Sequence, residues 1–393
     1  MSNELARAFL LDRLGLRGPL WAADRAAGQA LRLGMIQIDS IRVNGLRNHE
    51  IAWASRTDAP VADLYRLFYR DRAMLETHYP IFATRRDWLP WFLKDFHKTI
   101  ASRERLQDMR PVMRQVLKHI AANGPASPGD FESERVIGGF NTIKATTKAL
   151  EYLFAEGKLQ IAGRTPHFHR LFDLTERVAP EIATAPASWR QDRDSFFVHS
   201  ALSVLKLATP QQLAERVAHH IGRWRGGGLP MARRLVAAAQ DAGLVDVLKV
   251  QDGESSHDYL ALKSEIDAFR AGYRPCDDTV RLIPPLDNLM FSRRRFTELF
   301  GFTYKFEAYT PEHQRQFYFA LPIVYRDDVV GLLDAKRDGG TWQVRGLKMM
   351  KPLPPEHLRS AVLRLARIAG AEKVAAGRKV PAEYRRSIIG TCG

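Results

Sequence analysis

Cysteine is almost missing from this chain: in 393 residues only Cys276 and Cys392 occur, far apart and each without a nearby partner. That spacing excludes a CxxC zinc or redox motif and fits a reducing cytoplasm. The sequence also lacks a Walker-type glycine loop, an HExxH helix and a GxSxG elbow, so the chemistries those motifs carry have no footing here. No apolar run approaches the ~20 residues needed to cross a bilayer. The first twenty residues, broken by Glu4 and Asp12, do not read as a signal peptide. A protein of the cytoplasm is expected. Acidic residues are in short supply as well: 44 Asp and Glu face 59 Lys and Arg, a formal charge of +15. Such an excess favours a polyanionic partner, because each phosphate met by Lys or Arg releases condensed counterions. A merely basic, arginine-rich surface would give the same surplus.

What is present is an ordinary folded composition, 45% hydrophobic and 26% charged, long enough for several domains. The middle of the chain repeats itself. Val112, Val116 and Ile120 have helical spacing that stops at Asn123-Gly124. Ser127-Pro128, a cap followed by proline at the first helical position, opens a short helix through Phe131. A third helix carries Ala149, Leu150, Leu153 and Phe154, ends at Gly157, and gives way to a hairpin over Lys158–Ala162 and Phe168–Leu174. The same grammar returns with the helix Phe196–Leu207, the cap Thr209-Pro210 and a helix bearing Leu213 and Val217. A third helix, Pro230–Ala242, follows, then Gly243 and a hairpin over Leu244–Val250 and Tyr259–Leu262. Equivalent points lie 82 (Ser127 to Thr209), 86 (Gly157 to Gly243) and 88 (Leu174 to Leu262) residues apart. Three helices and a hairpin, twice over, is the plan of a winged helix-turn-helix.

The N-terminal hundred residues read as helices at Leu5–Leu10, Trp21–Leu33 and Val61–Arg72, consistent with a degenerate third unit. After Thr279 the pattern turns to strands, at Tyr304–Glu307, Phe317–Tyr325, Val329–Ala335 and Thr341–Leu347. A basic helix over Pro355–Ala369 follows, and the segment Lys373–Gly393, poor in apolar residues, reads as peripheral. The expected fold is mainly α with β wings: three tandem winged helix-turn-helix units and a C-terminal antiparallel β-barrel. The expected boundaries are 1–105, 106–185, 186–272, 273–350 for the barrel, and 351–393 for a C-terminal helix and tail.

Candidate chemistry centres on Leu33-Gly-Met-Ile-Gln-Ile-Asp-Ser-Ile41. Isoleucine favours an extended backbone here. Side chains alternate along a strand, so Gln37 and Asp39 share one face while Ile36 and Ile38 pack on the other. A carboxylate and an amide so placed can hold one water between them, Asp39 taking its proton or stabilising a cation. An edge strand with a solvated polar face would show the same pattern.

Ile36-Gln37-Ile38-Asp39-Ser40 resembles the Gln-hydrophobic-Asp motif of the bacterial interstrand-crosslink DNA glycosylases of the YcaQ/AlkZ type. Glu76-Thr77-His78 is similar to that family's Trp-x-His element, with Glu76 in the place of Trp. Lys148-Ala-Leu-Glu-Tyr-Leu153, Gly157-Lys-Leu159 and Phe172-Asp-Leu-Thr-Glu-Arg-Val178 resemble its second winged helix. Pro285-Leu-Asp-Asn-Leu289, Arg293, Leu299-Phe-Gly-Phe302, Leu321-Pro322, Val330-Gly331 and Asp334-Ala-Lys336 resemble its C-terminal barrel. Leu286 stands where Phe is common, and Phe291-Ser292 replace a Trp-Asp pair. The resemblance implies three winged-helix units and a β-barrel arranged around duplex DNA, with double-stranded DNA bearing alkylated or crosslinked guanine as the partner. No cofactor or metal is expected, and tandem units with a barrel and no heptad dimerisation helix suit a monomer. It implies monofunctional hydrolysis of the N-glycosidic bond of N7-alkylguanine, with Gln37 and Asp39 catalytic. Asp rather than a second Gln at position 39 goes with the broader-substrate form of the family.

Other residues carry two readings each. His78 is a lesion or phosphate contact, or else a capping or core histidine. Arg223-Trp-Arg225 and the glycine run after it, with Arg233 and Arg234 beyond, suit phosphate contact or a plain interhelical loop. Lys144 and Lys148 are equivalent candidates on the preceding unit, and Arg293 opens a charge run that is phosphate-facing or simply solvated. His167 and His169 have strand spacing but no further metal-ligand pattern, so an exposed wing tip is expected. Asp287 reads as a turn or capping residue. The competing functions are a non-enzymatic winged-helix regulator and an RNA-binding module. The regulator would bind one sequence without a lesion. The RNA reading is weakened by the lack of an aromatic stacking platform on the hairpins.

Overall fold

A computed structural model describes residues 1–77, 81–92, 108–137, 142–183, 189–224, 228–253 and 255–392. The chain opens on α1 (Asn3–Arg13), capped by the Ser2 hydroxyl accepting from the Leu5 amide at 3.2 Å, then α2 (Ala23–Leu31). A short strand β1 (Met35–Gln37) leads to α3 (Asn48–Ala54) and α4 (Val61–Tyr65). β2 (Met74–Glu76) pairs antiparallel with β3 (Phe82–Arg85). Next come α5 (Arg110–Asn123), the short pair β4 (Arg135–Ile137) and β5 (Thr142–Lys144), α6 (Ala145–Ala155), and the hairpin β6 (Leu159–Arg164) with β7 (Arg170–Leu174). The run repeats with α7 (Trp189–Leu205), α8 (Pro210–Trp224), α9 (Leu229–Asp241) and the hairpin β8 (Val245–Asp252) with β9 (Ser255–Leu262), followed by α10 (Lys263–Gly272). The last third comprises β10 (Arg281–Leu282), α11 (Arg293–Phe300), β11 (Leu321–Tyr325), β12 (Asp328–Asp338), β13 (Thr341–Met349), α12 (Pro355–Ile368), β14 (Lys373–Lys379), α13 (Ala382–Ile388) and β15 (Gly390–Thr391).

Both expected hairpins form, in register Leu159↔Leu174 and Val245↔Leu262, and Gly157 and Gly243 take φ of +72° and +69° at the helix ends before them. One element is shorter than its sequence suggested. After Ser127 the chain makes a single 3₁₀ turn, Pro128–Asp130, because Asp130 folds back on the Ser127 amide at 2.6 Å and Phe131 is already extended.

Compactness divides the chain into two units. The first holds residues 1–64, 202–213 and 240–393; the second holds 65–201 and 214–239. In the second, Leu75 and Leu89 pack with Val178, Ala179 and Ile182 in one small cluster. The first is dominated by one six-stranded sheet in the order β10-β11-β12-β13-β14-β15. Its inner face packs Leu321, Ile323, Leu333, Trp342 and Val344 against Leu358, Val362 and Leu365 of α12.

This sheet corrects the expected antiparallel barrel over 273–350. It is a curled half-barrel in which β13 and β14 run parallel, a connection that α12 supplies, and it extends to Thr391. The segment expected to be peripheral is therefore part of the core: Val374, Val380, Tyr384, Ile388 and Cys392 are all buried in it. Tyr304–Glu307 is not a strand either. Its aromatics alternate because Tyr304 is buried with its hydroxyl on the Ala320 carbonyl (2.8 Å) and Phe306 packs on Phe319.

Candidate active site

The Gln-Ile-Asp segment lies in the first unit, where β1 leaves α2. Ile36 and Ile38 are each 4% exposed, while Gln37 and Asp39 are half-buried, so the alternation runs two residues past the strand itself. Asp39 Oδ1 accepts the Ile41 amide at 2.7 Å, a turn that fixes the carboxylate relative to the backbone. Among the described residues, neither Asp39 Oδ2 nor the Gln37 side-chain amide is engaged in a hydrogen bond. An anchored carboxylate and an unspent amide two residues apart are free to hold a water molecule or a substrate atom.

Three long-range attachments hold this segment. The first is Asn48 at the start of α3, which is 1% exposed. Its amide donates to the Gln37 carbonyl at 3.0 Å and accepts the Leu286 amide at 3.0 Å, clipping β1 to the 285–289 loop. Asn288, also buried, donates to the Leu33 carbonyl at 3.1 Å from the same loop. The second is the ion pair beneath that loop, where Arg56 meets Asp287 through both guanidinium arms at 2.8 and 3.0 Å, both side chains 1% exposed. Asp287 also caps the turn after it by accepting the Leu289 amide, which agrees with the turn-or-cap expectation. Arg295, fully buried, donates to the carbonyls of Leu205, Leu207, Asn288 and Leu289. Burial with no carboxylate bonded to it pulls its pKa down to about 10. The third attachment ties the far end to the half-barrel: the Trp342 indole donates to the Asn44 carbonyl (2.8 Å), and Arg337 N donates to the Val43 carbonyl (3.1 Å). Gly45, at φ +93°, sits so close that a Cβ would lie 2.8 Å from Arg337 Cδ and 3.0 Å from the Ala369 carbonyl.

The remaining candidates are dispersed. Arg293 turns inward, donating to the Pro285 carbonyl at 2.9 Å with its guanidinium 4.5 Å from the Tyr304 ring centre, and burial lowers its pKa. It is thereby part of the same loop system as Gln37. Lys144 spends its ammonium on the Phe131 carbonyl at 2.5 Å. Lys148, on α6, is half-buried with its ammonium 5.9 Å from the Tyr152 ring centre. Arg233 and Arg234 are exposed on α9. Arg223 lies in the last turn of α8, and His78 and Arg225 lie outside the described residues. His167 and His169 are exposed in the β6–β7 turn, and no group of three or more His, Cys, Asp or Glu among the described residues is placed to hold a metal. No helix among the described residues is long and apolar enough to cross a membrane.

Glu76 proves structural. Its carboxylate, 1% exposed, accepts from Arg164 at 2.7 and 2.9 Å, from Arg170 at 3.2 Å and from the Tyr69 hydroxyl at 2.7 Å. Burial, reinforced by that carboxylate, pushes the Tyr69 hydroxyl well above its ordinary range. The β6–β7 hairpin is thus tied to β2 by charge.

Residues 30–369 match the family model described as DNA glycosylase AlkZ-like. The chain belongs to the AlkZ-like DNA glycosylase family. It is a DNA glycosylase, which disfavours the non-enzymatic regulator. Its fold is similar to that of the Streptomyces sahachiroi DNA glycosylase AlkZ, with a TM-score of 0.60 over 97% of this chain and 99% of that one, at 14% identity. The sequence pattern missed what holds the glycosylase's Gln-Ile-Asp segment: Asn48, Arg56 and Arg295 carried no local signal, and Asn288 was seen only as part of the Pro285–Leu289 likeness. Polar residues in otherwise apolar stretches, such as Arg56 after Trp53-Ala-Ser, were the one available hint.

Proposed function

We propose that this glycosylase hydrolyses the N-glycosidic bond of cationic N7-alkylated purines and unhooks N7-guanine interstrand crosslinks, with Asp39 and Gln37 at the reacting centre. The observation that carries the reading is the anchored Gln37–Asp39 pair, half-exposed above two buried isoleucines and with the Gln37 amide uncommitted. Alkylation at N7 leaves the purine positively charged, so the base departs without a strong general acid. As the C1′–N9 bond breaks, its electron pair neutralises the base and the sugar gains oxocarbenium character. Asp39 stabilises that charge. Water held between Asp39 and the Gln37 amide adds through its oxygen to C1′, and its proton passes to the Asp39 carboxylate. The products are the neutral alkylated base and an abasic site; no lysine nucleophile is needed.

In this reading the three-helix-and-hairpin runs at 106–185 and 186–272, with the N-terminal 1–105, are winged-helix units on duplex DNA. Lys148, Arg223, Arg233 and Arg234, with His78 and Arg225, contact the lesion or the strands beside it. Arg293 and Lys144, bonded to backbone carbonyls, shape the surfaces they stand on. The enzyme works in the cytoplasm as a monomer. A crosslinked base cannot be flipped freely, so an open site suits this substrate better than a closed base pocket. The test is an end-labelled duplex carrying one N7-methylguanine, and a second carrying an N7-guanine crosslink. Abasic sites revealed by alkali in the first, and release of the tethered strand in the second, support the proposal; if neither appears, the substrate class is wrong.

A further inference from the structure

A second polar concavity lies on the half-barrel, outside the Gln37–Asp39 segment. It encloses about 320 Å³ and is lined by Arg315, Gln316, Tyr318, Arg345, Arg378 and Lys379, together with the carboxylates of Glu312 and Asp334. The carboxylates do not balance the cations. Asp334 is buried and committed, receiving Arg345 at 2.9 Å and the Phe319 amide at 3.2 Å. Glu312 is 91% exposed at its side chain and lies 3.9 Å from Arg315. Arg378 and Lys379 are exposed and meet no carboxylate within 4.0 Å among the described residues. The Arg345 Nε is buried with no hydrogen-bond partner among the described residues, although its Nη2 is paired. Arg315 stands over Tyr318, its guanidinium 4.7 Å from the ring centre, a cation–π contact that favours this position.

Four cations share this concavity with two carboxylates, which leaves a surplus of positive charge that an anion seated among them would relieve. Planar guanidinium forks and an ammonium are the donors that suit a phosphoryl group. The loop that forms one wall also carries Tyr309, 85% exposed and edge-on to Phe306, a ring open to stacking. We infer that this pocket binds a backbone phosphate of the DNA strand, giving the half-barrel a DNA contact separate from the Gln37–Asp39 segment. The inference rests on the DNA substrate of the family and not on the roles proposed for Gln37 and Asp39.

The test is duplex binding by fluorescence anisotropy across a series of NaCl concentrations, with wild type and Arg378→Gln/Lys379→Gln. Both side chains are exposed, so folding should persist, which a thermal melt checks. Losing that phosphate contact lowers the slope of log K against log salt by about 0.9 and weakens binding about tenfold near 0.1 M salt. Lys263→Gln/Arg270→Gln, which removes the same charge from exposed positions on α10, should change the slope by less than half as much. An unchanged slope in the pocket variant, or an equal fall in the control, overturns the inference. So does calorimetry in which inorganic phosphate binds wild type and not the variant while duplex affinity is untouched, since the pocket would then serve a free phosphorylated ligand. Binding is read without base release, so failure of the proposed chemistry leaves this result standing, and the reverse.

Discussion

Replacing Arg56 by methionine isolates what the buried ion pair contributes. Arg56 makes five hydrogen bonds: to the Leu14 and Ala52 carbonyls at 2.7 and 2.9 Å, to the Ser55 hydroxyl at 3.1 Å, and to both oxygens of Asp287. Methionine keeps the volume and removes every donor. Among the described residues, Asp287 then keeps the Leu289 amide at 3.0 Å as its side-chain hydrogen bond, with the Arg295 charge acting on it from farther off. Breaking one half of such a pair costs about 3–5 kcal/mol, because the survivor is left charged and desolvated. At about 2–4 °C per kcal/mol, the melting temperature should fall by about 10 °C. Arg56→Met/Asp287→Asn keeps a side-chain acceptor for the Leu289 cap without the charge and should recover about 2 kcal/mol of that loss. The assays are thermal and urea melts of wild type, both single variants and the double. A single variant melting within about 2 °C of wild type, or a double variant no better than Arg56→Met, would refute the argument that an unpaired buried charge is what hurts.

Asn48→Ala frees the Gln37 carbonyl and the Leu286 amide, so kcat should fall about tenfold or more while duplex Kd stays within twofold; equal losses in both would show general unfolding, and no loss would show that the clip is dispensable. Glu76→Gln removes the buried carboxylate that Arg164 and Arg170 share, leaving Arg170 only the weaker pull of Glu151, and should cost about 3 kcal/mol, seen as early proteolysis or fast amide exchange in the β6–β7 hairpin; unchanged protection there contradicts it. Lys206 is 1% exposed on Glu265, and burial lowers its pKa from 10.5 to about 8. A lowered basic pKa means that the unfolded chain binds the extra proton between those values. The cost of burying the ammonium is therefore complete below about pH 8 and relieved as pH rises towards 10.5. Wild type should gain on the order of 2 kcal/mol over Lys206→Met across that window, measured by denaturant unfolding at its two ends; parallel pH curves would contradict it.

The parts of this fold that were legible in the sequence are those specified locally. Both hairpins were expected from turn residues and from the glycines that end the preceding helices, and they form in register. The alternation of Gln37 and Asp39 against Ile36 and Ile38 was readable because a side-chain period of two needs only five residues to show. What was not legible depends on distant partners. The tail 373–391 looked peripheral because it is poor in apolar residues, yet β14 pairs with β13 and the tail joins the α12 side of the core. Tyr304 and Phe306 mimic a strand because both cover buried surface, and burial alone does not distinguish a paired backbone from an irregular one. Glu76, aligned with an element implied to touch DNA, is instead consumed by two arginines about ninety residues away.

The most direct test of the central claim is single-turnover base release from an N7-methylguanine duplex by wild type and by Asp39→Asn at saturating enzyme. Asparagine preserves the acceptor for the Ile41 amide and removes only the charge. The account predicts that duplex Kd stays within twofold while the rate falls by about 10²-fold or more, the loss expected when the group stabilising transition-state charge is removed. An Asp39→Asn enzyme releasing the base at close to the wild-type rate would contradict it, and would place the catalytic carboxylate elsewhere in the chain.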